Sequence, residues 1–158
     1  MARNVFFSFH YDNDVTRAWV VRNSWVTQPN RSSSGVIDKA EFEKIKKDGD
    51  AAVKRWIDSQ LIGTTVTVVL IGAETLMRPF IKYEIEQSLL RGNAIIGIFV
   101  NNIKDFDQQT STRCDTSNFQ YKLYDWVSAD GYNNLGNGSK MLQNSLENKG
   151  GIINGKQN

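Results

Sequence analysis

Residues 64–71, with the sequence TTVTVVLI, are the most strand-like stretch of the chain and decide its fold class. β-branched side chains dominate this run, and threonine is its only polar residue. An apolar run without alternation is typical of a strand that is covered on both faces. We therefore predict a buried strand in the interior of a parallel sheet.

Other short apolar runs predict the remaining strands. Residues 5–9 (VFFSF) and residues 94–100 (AIIGIFV) each indicate a buried strand. Residues 36–37 are a candidate for a short second strand, and the polar stretch 28–35 before them predicts a loop. Residues 119–127 carry spaced apolar side chains and predict a last ordered segment.

Segments with helical spacing separate these strands. Asp12 or Asn13 is placed to cap a helix that runs to about residue 26. Residues 38–61 predict one long helix with capping-box spacing at its start and Gly49 as a weak point in its middle. Residues 79–91 predict a further helix, with a proline at its first position and Gly92 at its C-terminal cap.

Strands that alternate with helices imply parallel pairing through crossover connections. We predict an α/β fold of the flavodoxin-like type, a mostly parallel central sheet flanked by helices, with the first strand central. Ligands of such sheets bind where the winding direction switches, here between the loop after Phe9 and the loop after Ile71. We assign residues 1–135 to this domain, and residues 136–158, rich in Gly, Asn, Ser and Lys, to a divergent, flexible tail.

Composition excludes several classes of function. The 158 residues carry 19 basic and 17 acidic side chains, a balance that does not favour nucleic acid as a partner. One histidine and one cysteine, Cys114, make a metal site unexpected. The apolar runs are far shorter than the ~20 residues of a membrane span, and the first residues do not resemble a signal peptide. We therefore expect a cytoplasmic protein that binds no membrane.

Several short segments, spread over most of the chain, carry a family resemblance. They are residues 3–11 (RNVFFSFHY), 21–26 (VRNSWV), 80–88 (FIKYEIEQS), 91–93 (RGN) and 124–127 (YDWV), together with Asp38. These segments resemble the TIR-like proteins of the Thoeris anti-phage system, over roughly residues 3–135. In that family an aromatic residue, usually tryptophan, stands four positions before the catalytic glutamate. The resemblance therefore implies that Phe80 and Glu84 hold these two positions.

The resemblance also implies a TIR fold and an activity. Members of the family cleave NAD, which is a substrate rather than a cofactor, and release a cyclic or conjugated ADP-ribose signal. A phage-derived trigger, such as a structural protein, starts the reaction, and the signal activates a separate effector protein. The resemblance leaves open whether the chain forms a homo-oligomer.

Glu84 suits this chemistry on physical grounds. Loss of nicotinamide develops positive charge on the ribose, which a nearby carboxylate stabilises, and the cationic nicotinamide leaves without protonation. On the helix of residues 79–91, Glu84 falls at the edge of the apolar stripe, and the helix N-terminus favours its ionised form. Glu86 falls further toward solvent. The competing interpretation is that Glu84 is an ordinary solvated helix glutamate.

The loop after the first strand is the second candidate part of the site. Ser8, Phe9, His10 and Tyr11 are expected to wall the NAD pocket, with hydroxyl and backbone contacts to ribose or phosphate and an aromatic ring for stacking. Alternatively, Phe9 belongs to the core and Ser8 only begins a turn. We expect the His10 side chain to hydrogen-bond locally. Asp38 is a candidate ligand contact, although its position fits a helix N-cap better.

Three other functions compete with NAD cleavage as interpretations of this sequence. A non-catalytic TIR-like adaptor that acts by protein–protein assembly is the main alternative, and Phe80 in place of tryptophan is in keeping with it. A response-regulator receiver needs an aspartate at the end of the middle strand, where this chain has Ile71 and Gly72. A flavodoxin needs a phosphate loop rich in Ser, Thr and Gly after the first strand, which residues 10–13 (HYDN) match poorly.

Overall fold

The computed structural model describes residues 3–26, 31–33, 37 and 39–127, which form a parallel sheet flanked by helices. The strands are β1 (Arg3–Ser8), β2 (Arg31–Ser33), β3 (Val66–Ile71), β4 (Ala94–Phe99) and β5 (Lys122–Asp125). The helices are α1 (Tyr11–Val26), α2 (Lys39–Lys47), α3 (Asp50–Leu61) and α4 (Pro79–Leu90), with a 3-10 turn at Thr75–Met77 before α4.

The five strands lie in the order β2-β1-β3-β4-β5, and every neighbouring pair is parallel. This is the strand order of flavodoxin-like folds, so the predicted fold class is confirmed. The central strand is β3 rather than β1, because β4 and β5 both add on the far side of β3. β1 is an interior strand, one place away from the centre.

β3 has the burial that its sequence predicts. All six of its residues are buried, and Val66 pairs with Val5 on one side and with Ala94 on the other. A strand with partners at both edges and helices over both faces has no contact with water, so polar alternation would only destabilise it.

The direction of the connections decides which face each helix covers. β1 connects toward the β2 edge, whereas β2 to β3 and β3 to β4 run the opposite way. Right-handed crossovers then place α1 on one face and α2, α3 and α4 on the other. α3 packs beside α4, where the Tyr83 hydroxyl donates to Asp58 Oδ1 at 2.9 Å.

Two predictions about the region after α1 were wrong. β2 lies at Arg31–Ser33, within the stretch predicted as a loop, and Ile37 is not in a strand. A three-residue edge strand is held by backbone pairing with β1, which leaves no apolar signature. The predicted long helix is two helices, because Gly49 adopts a φ of 95° between them and a left-handed residue cannot continue a helix.

The two ends of α4 match the prediction, whereas the start of α1 does not. Pro79 is the first residue of α4, and Gly92, with a φ of 83°, follows its last turn. α1 begins at Tyr11, ahead of the predicted caps, because the backbone N–H of Asp14 already donates to the His10 carbonyl at 2.8 Å.

Residues 100–121 connect β4 to β5 without a helix, and a buried arginine on α1 holds this connection. The Arg17 guanidinium donates to the carbonyls of Ile103, at 2.7 Å, and Gln109, at 2.8 Å. It also pairs with Asp14 Oδ1 at 2.7 Å, and both side chains are almost completely buried.

Two predictions lie outside the described residues. They concern Asp38 and the tail of residues 136–158. Among the residues that the structure describes, no helix has the length and apolar character needed to cross a membrane.

Candidate active site

A cavity of about 540 Å³ opens at the carboxyl end of β1, and no residue of β3 or of the loop that follows Ile71 lines it. The chain leaves β1 and β3 in opposite directions, which is the arrangement that creates ligand crevices in open α/β sheets. The segment after β1 forms one wall, α2 and α3 form a second, and the first two turns of α4 form the third. The predicted position of the crevice is therefore confirmed for the β1 side, while α4 takes the place expected for the loop after Ile71.

Glu84 lies in the wall formed by α4, with only 4% of its surface exposed. The buried face of α4 runs through Ile81, Glu84 and Ser88. The helical spacing predicts an apolar stripe of Ile81, Ile85 and Leu89, of which Ile81 is buried and Leu89 is 48% exposed. Glu86 is exposed, as predicted. Glu84 is thus not a solvated helix glutamate.

Burial controls the ionisation of Glu84. Loss of water around the carboxyl raises its pKa to about 8, and the Ser8 hydroxyl, which donates to Oε1 at 2.5 Å, acts in the opposite direction. The free protein therefore holds this carboxyl mainly protonated at neutral pH. The expectation that the helix N-terminus keeps it ionised was wrong, because desolvation outweighs the helix dipole at a fully buried position.

Aromatic side chains form the wall opposite Glu84. The Tyr11 ring stacks on Phe42 at 4.2 Å between centroids and contacts Phe9 at 4.3 Å. Burial, and then the neighbouring Glu84, raise the pKa of Tyr11, so its phenol keeps its proton. Phe80 is half-buried and lines the cavity from α4. Flat apolar walls of this kind can sandwich a planar ring.

His10 lines the same cavity but makes none of the local hydrogen bonds expected of it. Its side chain is buried, and neither ring nitrogen has a hydrogen-bond partner among the described residues. Nε2 lies 3.7 Å from an Asp12 carboxylate oxygen, too far for a hydrogen bond. Burial and then the charge of Arg78 lower the pKa of His10. The neutral ring can donate a hydrogen bond from one nitrogen and accept one at the other.

Ser8 has a different place from the one predicted. It is fully buried behind Glu84, and it is not among the residues that line the cavity. Its hydroxyl is engaged by the Glu84 carboxyl, so it contacts the site through that residue. Phe9 belongs to the core and also lines the cavity, so the core interpretation is confirmed, and its contact with NAD stays a prediction.

Sequence reasoning missed the cationic part of the cavity and two of its aromatic rings, Phe42 and Tyr83. Lys46 and Lys54, from α2 and α3, line the cavity together with Arg78 and Lys82. The Lys54 ammonium lies 5.2 Å from the centre of the Tyr83 ring. A cavity with aromatic walls, four cations and one buried acid suits a ligand that combines planar rings with phosphates. No spacing in the sequence relates these lysines to Glu84, because separate helices bring them together.

The described part of the chain contains no cluster of three His, Cys, Asp or Glu side chains placed to hold a metal ion.

Comparison with known proteins places this site in a family. The family described as "Thoeris protein ThsB, TIR-like domain" matches residues 6–105, the range that contains Glu84 and every residue of the cavity walls. The chain is also 43% identical over 139 residues to the "Putative cyclic ADP-D-ribose synthase ThsB1" of Bacillus cereus (strain MSX-D12), covering 80% of this chain and 72% of that protein. These matches confirm the resemblance carried by the sequence segments, and the parallel sheet in flavodoxin-like order is the fold that it implies. The chain therefore belongs to the family of TIR-like domains of the Thoeris protein ThsB.

Proposed function

We propose that this protein breaks the nicotinamide–ribose bond of NAD and that Glu84 is its catalytic carboxylate. The observation that carries the proposal is a single buried carboxyl in the wall of a cavity that offers aromatic faces and cations. The name of the Bacillus cereus relative, a cyclic ADP-D-ribose synthase, supports the same class of reaction for that protein.

The proposed chemistry follows from charge. The C–N bond breaks with its electron pair moving to the nicotinamide ring, which leaves neutral, and positive charge develops on the ribose. Ionised Glu84 stabilises that charge at close range. The pyridinium ring of bound NAD is itself cationic, so its arrival lowers the pKa of Glu84 and favours the ionised form.

Different walls of the cavity bind the remaining parts of NAD. We assign Phe9, Tyr11 and Phe80 to the rings, His10 to a ribose or phosphate oxygen, and Lys46 and Lys54 to the diphosphate. Asp38 stays a candidate contact. Attack by water on the ribose carbon gives ADP-ribose, whereas attack by a nucleophile of the substrate itself gives a cyclic product. We favour cyclic or conjugated ADP-ribose because the relative is named for a cyclic product.

We further propose the biological setting that the family implies. A phage-derived trigger switches the enzyme on in the cytoplasm, and the ADP-ribose product activates a separate effector. A homo-oligomer completes the site when the enzyme is switched on.

The test compares three proteins in phage-infected cells and follows NAD and ADP-ribose species by mass spectrometry. We expect a new ADP-ribose product from the wild type and a loss of about 100-fold or more for Glu84→Gln. Asp107→Asn is the matched control, because it makes the same carboxyl-to-amide change at an exposed position that does not line the cavity. It should form product at the wild-type rate.

An unchanged NAD pool with folded wild-type protein would instead favour a non-catalytic adaptor that acts by assembly. The observation in favour of this second function is Phe80, which stands where the family usually has tryptophan.

A further inference from the structure

A line of polar side chains runs between α4 and the sheet, where an apolar interface would be expected. It consists of Ser8, Thr67, Glu84, Ser88 and Asn93, which we call the polar seam. Each of its members is at most 5% exposed. Burying so many polar groups destabilises a fold unless every group is paired, and each side chain of the seam has a hydrogen-bond partner.

One part of the seam holds the backbone of α4. Thr67 Oγ1 and Ser88 Oγ share a hydrogen bond of 2.6 Å, and the Ser88 hydroxyl lies 2.6 Å from the backbone carbonyl of Glu84. The Asn93 amide donates to Thr67 Oγ1 at 3.2 Å. These bonds tie the turn of α4 that carries Glu84 to β3.

The other part of the seam holds the Glu84 side chain. Ser8 pairs with Val69 of β3 and is the last residue of β1, directly before the wall formed by Phe9 and Tyr11. Its hydroxyl donates to Glu84 Oε1 at 2.5 Å, across 76 positions of sequence. The bond engages one carboxyl oxygen and leaves Oε2 for the cavity.

We propose that Ser8 is the positioning residue of the site, holding Glu84 Oε1 by its hydroxyl so that the carboxylate meets the ribose in one fixed orientation. The inference rests on the proposed function of Glu84. Ser8 does not touch the substrate, because it lies behind the carboxyl and outside the cavity lining.

The Ser8 bond also acts on the proton of Glu84. A hydroxyl that donates to a carboxylate favours the ionised form, so Ser8 opposes the effect of burial. The titratable groups that face the cavity across from Glu84 are His10, Tyr11 and Asp12, with Lys46, Asp50 and Lys54 on α2 and α3. Arg78, Lys82, Tyr83 and Glu86 belong to the α4 side. Ser8 is the one group that hydrogen-bonds the Glu84 carboxyl within the described residues.

The first experiment measures the pH profile of NAD turnover for Ser8→Ala, Ser8→Thr and Thr67→Val. We expect Ser8→Ala to move the acid limb of kcat/KM upward by about one pH unit and to lower kcat about tenfold at pH 7, with little change in KM. Ser8→Thr keeps the hydroxyl and should restore most of the activity. Thr67→Val removes the seam bond to Ser88 and should lower the melting temperature without moving the acid limb.

The second experiment needs no turnover. The Glu84 carboxyl is titrated by infrared spectroscopy, with Glu84→Gln as the blank, in the wild type and in the Ser8 variants. A midpoint that rises in Ser8→Ala supports the inference even where the wild type does not cleave NAD. If Ser8→Ala does not fold, Ser8→Cys carries the test, because its thiol is a weaker donor of similar size. A midpoint that stays in place, or an equal shift in Thr67→Val, would overturn the inference.

Discussion

At the scale of the residue, Glu84 shows which properties of a side chain the local sequence pattern predicts and which it does not. Its place on α4 and its proximity to the carboxyl edge follow from the helix spacing. Its burial does not, because burial depends on the packing of α4 against the sheet, where Ser8 of β1 contacts the carboxyl. The same burial raises the pKa of Glu84, so the protonated form is favoured where we predicted the ionised form.

The raised pKa of Glu84 predicts a pH-dependent stability. The folded protein binds this proton more tightly than the unfolded chain, whose glutamate has the ordinary value of 4.5. The resulting stabilisation is complete below about pH 4.5 and is lost as pH rises through about 8. Glu84→Gln resembles the protonated carboxyl at every pH, so at pH 9 its free energy of unfolding should exceed that of the wild type by on the order of a few kcal/mol.

Urea denaturation of both proteins at pH 5 and pH 9 measures this difference. The two should agree within about 1 kcal/mol at pH 5, where both carry a neutral group at this position. Equal gaps at the two pH values would contradict the assigned pKa direction.

His10 predicts a conflict between stability and binding. Its buried nitrogens have no hydrogen-bond partner among the described residues, so His10→Phe should leave the melting temperature unchanged or raise it. The same variant should raise the KM for NAD roughly five- to tenfold, because the substrate loses a hydrogen bond. Thermal denaturation and steady-state kinetics measure the two effects. A destabilised variant with an unchanged KM would assign His10 to the fold instead of the site.

At the scale of the element, the connection between β4 and β5 depends on the pair of Arg17 and Asp14. The connection contains no helix, and the arginine holds it by donating to two of its backbone carbonyls. The local sequence does not predict the burial of Arg17, since a charged residue on a helix is ordinarily solvated. The break between α2 and α3 at Gly49 was partly predicted from the sequence, because a glycine in the middle of a helix weakens it.

Arg17→Ala should lower the free energy of unfolding by about 3–5 kcal/mol, since it leaves the Asp14 carboxyl buried without its cation. Hydrogen exchange of residues 101–110 should accelerate at the same time. The double variant Asp14→Asn/Arg17→Ala should recover part of the loss, because the unpaired charge is gone. A loss below about 1 kcal/mol in the single variant would show that the pair is only peripheral.

At the scale of the whole molecule, the cavity is open, and the pKa of about 8 favours the protonated form of Glu84 in the free protein at neutral pH. We expect turnover per molecule to be nearly absent in dilute monomer and to rise by about tenfold or more over the concentrations at which copies associate. Turnover measured beside sedimentation velocity across a dilution series tests this. Full activity in a dilution that sediments as monomer would contradict it.

The sequence by itself determined the α/β class, the buried strands β3 and β4, the limits of α4 and the edge at which the site lies. Each of these depends on the spacing of apolar side chains over a few residues, and that spacing differs between a strand and a helix. Tertiary structure alone decided the edge strand β2, the contribution of Phe42, Lys46 and Lys54 to the cavity, and the hydrogen bond from Ser8 to Glu84. These depend on which segments meet in space, and a hydrogen bond between positions 76 apart leaves no trace in local periodicity.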